Sequence, residues 1–272
     1  MRTAVLGGFD GIHLGHRHLM DRAGGNPVVV CMEPLPRQIT AGPGWNRRLT
    51  TPGERRKTLH GMGIMSIIAM PFHRRLMNST PAEFAAVLTE MGDFERIAVG
   101  WDFRYGKDRC GDASDLASTL PGVEVMVVPP FLADGLPVKS ERIRGLIEEG
   151  RFRDAGVLLG RPYGCLGVVA RGREKGRTLG FPTMNVTVPR CKLLPPPGSY
   201  AVSVAGSGGK WFGAAFRRPG TGCVEVHLPG FQGENYGCEM EVSFFEAIRK
   251  PASAGSEEQL RELIRGDVNA AM

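Results

Sequence analysis

A chain of 272 residues, 42% of them apolar, suffices for one large domain or two ordinary ones with proper cores. Its net charge of +6 suits nucleotide substrates and plain solubility alike, and gives nucleic-acid binding little support. The longest apolar run, Ile64 to Met70, is too short to span a bilayer, and the six scattered cysteines form no C-x-x-C pair for zinc or redox work. With no secretory segment before the first strand, a cytoplasmic location and reduced thiols are expected.

Up to about residue 160, short apolar runs alternate with helical ones. Thr3 to Leu6, Pro27 to Met32, Ser66 to Met70, Arg96 to Gly100 and Val123 to Val128 read as strands buried on both faces. Thr80-Pro81-Ala82-Glu83 is a helix start with a capping box and proline at the first position. Such alternation predicts a doubly wound parallel sheet, whose ligands bind beyond the strand C-terminal ends.

The first strand runs into Gly7-Gly8-Phe9-Asp10-Gly11-Ile12-His13-Leu14-Gly15-His16. Glycines let the backbone approach a bound group, and a helix start offers N–H donors with a partial positive charge. His13 and His16, three apart, share one helix face and can both meet one anion. The spacing predicts a phosphate cradle; the plain alternative is a tight turn with surface histidines. Farther on, Gly100 to Gly106 with Gly111 places Asp102, Phe103 and Tyr105 at a strand end, suited to a planar ring or to a capped loop. Lys139-Ser140-Glu141-Arg142-Ile143-Arg144 reads as a helix start with Ser140 as N-cap. Its cations are placed to reach phosphate oxygens or simply to solvate the helix.

After Gly160-Arg161-Pro162-Tyr163 the rhythm changes. Gly164 to Ala170, Thr183 to Val188, Ser199 to Val204, Trp211 to Phe216, Cys223 to Leu228 and Cys238 to Phe245 read as strands of a small antiparallel barrel. A final helix follows, with Ser256 and Gln259 as its capping box and Leu260, Leu263, Ile264 and Val268 as its apolar face. The expected division is 1–160 and 161–272. A basic, glycine-spaced loop from Gly172 through Gly176 enters a strand on which Thr183 and Asn185 share a face, as alternation requires. A hydroxyl and an amide oxygen so placed suit a magnesium ion that carries ATP phosphates. Glu225, on a later strand, is a candidate general base, although strand glutamates more often simply face solvent.

Together these segments resemble the bacterial bifunctional riboflavin kinase/FAD synthetase family along nearly the whole chain. Residues 7–16 are similar to its nucleotidyltransferase signature, Gly100 to Gly111 to its flavin-side loop, and Leu179 to Asn185 to its kinase signature. The resemblance implies two reactions. In the barrel, Glu225 helps deprotonate the riboflavin 5′-hydroxyl, which attacks Mg2+-bound ATP, with Gly172, Gly176, Thr183 and Asn185 holding metal and phosphates. In the first domain, FMN attacks a second ATP to give FAD and pyrophosphate. There His13, His16 and Arg144 stabilise the triphosphate, Gly7, Phe9, Asp10, Gly11, Ser140 and Arg142 bind it, and Asp102, Phe103 and Tyr105 contact the flavin. Expected partners are these small molecules, with no nucleic acid or membrane, the chain being a monomer or weak homo-oligomer.

The chain departs from the family at several points. Its Ser-Ser-Thr element reads Lys139-Ser140-Glu141, which puts a carboxylate beside the phosphates. Met32-Glu33-Pro34-Leu35-Pro36 is unusual, the turn between Phe216 and Cys223 is short and lacks the Asn-Pro-Thr element, and Leu228-Pro229-Gly230-Phe231 replaces an acidic segment. These departures leave two alternatives to the double activity. One is a chain that retains a single activity, the kinase first; the other is a non-catalytic flavin- or nucleotide-binding regulator.

Overall fold

The structure, a computed structural model, describes residues 1–42, 44–172, 179–231, 233 and 235–272. The chain divides into two compact units, Met1–Asn46 with Pro52–Ser140, and Arg47–Thr51 with Glu141–Met272.

The first unit is built on five strands, β1 (Thr3–Gly7), β2 (Val28–Glu33), β3 (Ile67–Pro71), β4 (Arg96–Gly100) and β5 (Glu124–Val128), in the order β3-β2-β1-β4-β5. Every pairing is parallel, as the unalternating apolar runs predict. Ala4, Leu6, Val28, Val30, Ile97 and Val99 pack into one cluster with Phe84 and Leu88. Val5, Val29, Cys31 and Ala98 join a second with Leu19 and Leu59. Successive strand residues thus serve opposite layers, and the central strands are covered on both faces. The edge strands β3 and β5 instead leave Ala69 and Val127 exposed, short of the burial on both faces that their apolar runs predict. The flanking helices are α1 (Leu14–Ala23), α2 (Pro36–Thr40), α3 (Pro52–Gly61), α4 (Arg74–Met77), α5 (Pro81–Met91) and α6 (Ala113–Thr119), and a two-stranded hairpin, β6 (Leu132–Ala133) with β7 (Leu136–Pro137), follows β5. The capping box of α5 forms as expected, the Thr80 hydroxyl accepting from the Glu83 amide while Glu83 accepts from the Thr80 amide.

The second unit holds α7 (Ser140–Glu148) from Glu141 onward, α8 (Phe152–Leu159) and a closed six-stranded antiparallel barrel. Its strands are β8 (Tyr163–Ala170), β9 (Met184–Thr187), β10 (Gly198–Gly206), β11 (Gly209–Arg217), β12 (Cys223–His227) and β13 (Glu239–Arg249), in the order β10-β11-β12-β9-β8-β13. Alternation sorts each strand. Along β12, Val224 and Val226 are buried, whereas Cys223, Glu225 and His227 stay partly exposed on the other face.

The terminal helix, α9 (Glu257–Ala271), begins at Ser256 as predicted, but its cap differs from the expected box: Gln259 accepts from the Gly255 amide instead of the Ser256 amide. Its predicted apolar face is only partly covered, and its buried residue is Asp267. Both Asp267 oxygens accept from Arg249 at 2.7 Å, and the Ser199 hydroxyl donates to one of them at 2.8 Å. A charge-assisted fork thereby ties α9 to β13 and β10 beside a cavity of about 540 Å³ lined by Ile248, Ser253, Gln259 and Leu263 among others. All six cysteines are free thiols.

Candidate functional site

In the first unit the run after β1 forms the expected strand-to-helix loop, held by its own side chains. Phe9 and Ile12 adopt positive φ values of 48° and 42°, a costly conformation that is worst for a β-branched residue. Both rings and chains are sunk in the core, at 1% and 0% exposure, so apolar burial offsets the backbone strain. A side chain at Gly7 would meet the Phe9 ring at 2.9 Å; this glycine makes room for Phe9, where the sequence suggested room for phosphate. Phe9 likewise offers a ligand only its backbone. Gly11, at φ 92°, does supply the turn.

His13 lies before α1 as its N-cap, not inside its first turn: its Nδ1 accepts from the His16 amide at 3.3 Å. Any contact from His13 to a ligand must therefore come from Nε2. The two imidazoles stack at 3.7 Å between centroids, with His16 also edge-on to Phe9 at 5.2 Å. Gly15 permits this, because a Cβ there would lie 2.9 Å from the Val138 carbonyl and 3.1 Å from His13 Nδ1. The Ser140 hydroxyl donates to the Asp10 carbonyl at 2.8 Å rather than capping α7. Segment 138–140 is thus fastened to the cradle, with Asp10, His13 and Ser140 brought together.

At the end of β4 the structure corrects the sequence reading. Tyr105 is 4% exposed and stacks on Phe84 at 4.3 Å; Phe103 packs against the same cluster. Gly111 exists for Tyr105, whose ring a Cβ there would meet at 2.8 Å. Tyr105 belongs to the core because the strand-end loop folds back over α5, whereas Phe103 stays partly exposed at its edge. The exposed ring is Trp101, at 44%, which sequence reasoning passed over. Lys139 Nζ sits 4.5 Å from the Trp101 centroid and 2.8 Å from Asp102 Oδ2. The replacement of serine by Lys139 therefore joins the Asp102 loop to the cradle segment.

Burial pushes the Tyr105 phenol up to about 12. A phenol that keeps its proton longer when folded gives its full stabilisation below its ordinary value and loses it as pH climbs toward the folded one. Tyr105→Phe is expected to flatten the fall of Tm between about pH 10 and 12. The Tyr105 hydroxyl is buried with no hydrogen-bond partner among the described residues, so near neutrality the variant should match the parent or gain up to about 1 kcal/mol in urea unfolding. A clear loss at neutral pH would show that the hydroxyl is bonded.

In the second unit, Arg144 is buried and engaged. Its Nη1 donates to Glu141 Oε2 at 2.7 Å and its Nε to the Arg47 carbonyl at 2.8 Å. Glu141, the carboxylate that departs from the family pattern, is also 3.6 Å from Arg47. Its charge is thus compensated by Arg144 and Arg47, while Arg142 stays partly exposed on α7.

On the barrel, Glu225 in β12 lies directly opposite Asn185 in β9, and opposite Phe216 in β11. Thr183, one residue before β9, is partly exposed. His227 Nδ1 lies 2.8 Å from the Pro182 carbonyl, with its ring edge-on to Phe181, pinning the chain that leads into Thr183. Gly172 closes on this group: a Cβ there would stand 2.0 Å from Asn185 Nδ2. Gly172, Asn185 and Glu225 are thus assembled on one partly exposed face. Gly176 and the rest of 173–178 lie outside the described residues. Arg218, which the sequence reading missed, donates to Glu225 Oε1 at 2.5 Å and Oε2 at 3.2 Å.

Two family models match, FAD synthetase over residues 2–142 and riboflavin kinase over 159–272. The chain belongs to the bifunctional riboflavin kinase/FAD synthetase family. Among its relatives, the bifunctional riboflavin kinase/FMN adenylyltransferase of Pseudomonas fluorescens is 34% identical over 99% of this chain and 91% of its own length. The enzymes of the same name from Escherichia coli K12 and Bacillus subtilis 168 are 32% and 28% identical, covering 97% and 98% of this chain and 89% and 90% of theirs. A crystal structure described as a macrolide-efflux protein from Streptococcus pneumoniae superposes with a TM-score of 0.87 at 29% identity, over 98% of this chain and 92% of that one. Among the described residues no helix is long and apolar enough to cross a membrane.

Proposed function

We propose that this chain converts riboflavin to FMN on the face around Glu225 and FMN to FAD at the cradle of residues 7–16, acting in the cytoplasm on free small molecules. We place the working boundary between the two activities near residue 160. The observation that carries the kinase assignment is the direct pairing of Glu225 with Asn185 across β12 and β9. Glu225 accepts the proton of the riboflavin 5′-hydroxyl as that oxygen bonds the γ-phosphorus of ATP. The bond from that phosphorus to the bridging oxygen breaks, and ADP leaves.

An ATP-using enzyme of this family calls for a divalent metal, and we assign magnesium entering with ATP as part of the substrate. No cluster of three His, Cys, Asp or Glu suited to a metal occurs among the described residues, whereas Thr183 and Asn185 offer neutral hard oxygens. Such a pair fits a cation already carrying phosphate ligands. The metal, when bound, neutralises charge on the transferring phosphoryl group.

At the cradle an FMN phosphate oxygen attacks the α-phosphorus of ATP, the bond to pyrophosphate breaks, and no proton need move. The protein supplies alignment and charge neutralisation. His13 and His16 face the triphosphate, helped by the amides at the start of α1. Trp101 and Lys139, beside Asp102, receive the flavin side. The test is to measure riboflavin-dependent ADP release and FMN-dependent pyrophosphate release from magnesium–ATP with the purified chain. Both are expected. Absence of either removes the corresponding half of the assignment.

A further inference from the structure

The hairpin that joins β11 to β12 builds a contact to Glu225. Phe216 stands opposite Glu225 and Arg217 opposite Val224, so Arg218, just past the strand end, returns to the face of Phe216 and Glu225. The short turn Pro219-Gly220-Thr221-Gly222 brings it within reach, and the Thr221 hydroxyl donates to the Arg218 carbonyl at 3.2 Å. The Arg218 guanidinium then meets both Glu225 oxygens, at 2.5 Å from Nε and 3.2 Å from Nη2, with its central carbon 6.0 Å from the Phe216 ring centroid.

A planar guanidinium that engages both oxygens fixes the rotation of a carboxylate, which a point charge does not. Arg218 is 54% exposed, and ion pairs this open contribute only about 0–1 kcal/mol to folding. Stability is therefore a poor account of the contact. Orientation is a better one: Glu225 lies between Arg218 on the β11 side and Asn185 on the β9 side, and each carboxylate oxygen retains a lone pair for a substrate proton. We propose that Arg218 is a positioning residue for riboflavin phosphorylation, holding the Glu225 carboxylate in the orientation that accepts the 5′-hydroxyl proton. This rests on the assignment of Glu225 as the base.

The test uses the full-length chain, unaltered and as Arg218→Ala and Arg218→Lys, with riboflavin and magnesium–ATP, and with FMN and ATP as the second assay. Arg218→Ala should lower kcat for riboflavin phosphorylation by about 100-fold, the scale of a misplaced reacting group, while adenylylation of FMN and Tm persist. Lysine should recover part of the loss, and guanidinium chloride at a non-denaturing concentration should recover more in the alanine variant. An unchanged kcat in Arg218→Ala overturns the proposal, as does a fall that neither lysine nor guanidinium eases, or a joint loss of both activities. Failure of the unaltered chain to phosphorylate riboflavin strikes instead at the assignment of Glu225.

Discussion

Glu225→Gln is expected to lower riboflavin phosphorylation by at least about 100-fold, the usual contribution of a positioned general base, while adenylylation of supplied FMN continues. The amide keeps the volume of the side chain and one acceptor oxygen for Arg218, but cannot take up a hydroxyl proton. Val224 and Val226, which hold β12 in the barrel, are untouched, so Tm should hold. Turnover by continuous flavin separation checks this. Retention of kinase activity within tenfold of the parent would remove Glu225 as the base.

His16→Ala should have the opposite signature, with FMN adenylylation reduced by about 100-fold or more and riboflavin phosphorylation intact. His16 is the better choice of the two histidines. Replacing His13 also removes the N-cap of α1, a change worth about 1 kcal/mol, and mixes folding with chemistry. His16 instead donates its backbone amide to that cap, and its ring stacks on His13, so alanine leaves the cap bond in place. The reading is pyrophosphate release with FMN as acceptor. A variant that loses both activities, or neither, contradicts the division of labour.

Most of the fold was legible because strand periodicity reports burial directly. Unalternating runs gave the parallel sheet, and alternating runs gave the barrel with Glu225 and Asn185 on its partly exposed face. Local geometry was legible where one segment carries it, as in the strand-to-helix loop that brings His13 and His16 together. It was not legible where tertiary packing decides which of several like residues is exposed. Tyr105 went to the core and Trp101 to solvent, with Phe103 partly exposed between them, although all three lie within one loop. Gly7 looked like a phosphate glycine, yet its neighbour two residues on fills the space. The pairing of Glu141 with Arg47 was likewise not legible, since Arg47 lies far away in sequence. Arg218 escaped notice because only hairpin register shows that it returns to Glu225.

The most direct test of the two-reaction account is a time course of the flavins formed from riboflavin alone by the purified chain with ATP and magnesium. The account predicts that FMN appears first and FAD follows at its expense, with Glu225→Gln stopping both and His16→Ala halting the course at FMN. Riboflavin bound but left unconverted by the unaltered chain would contradict it.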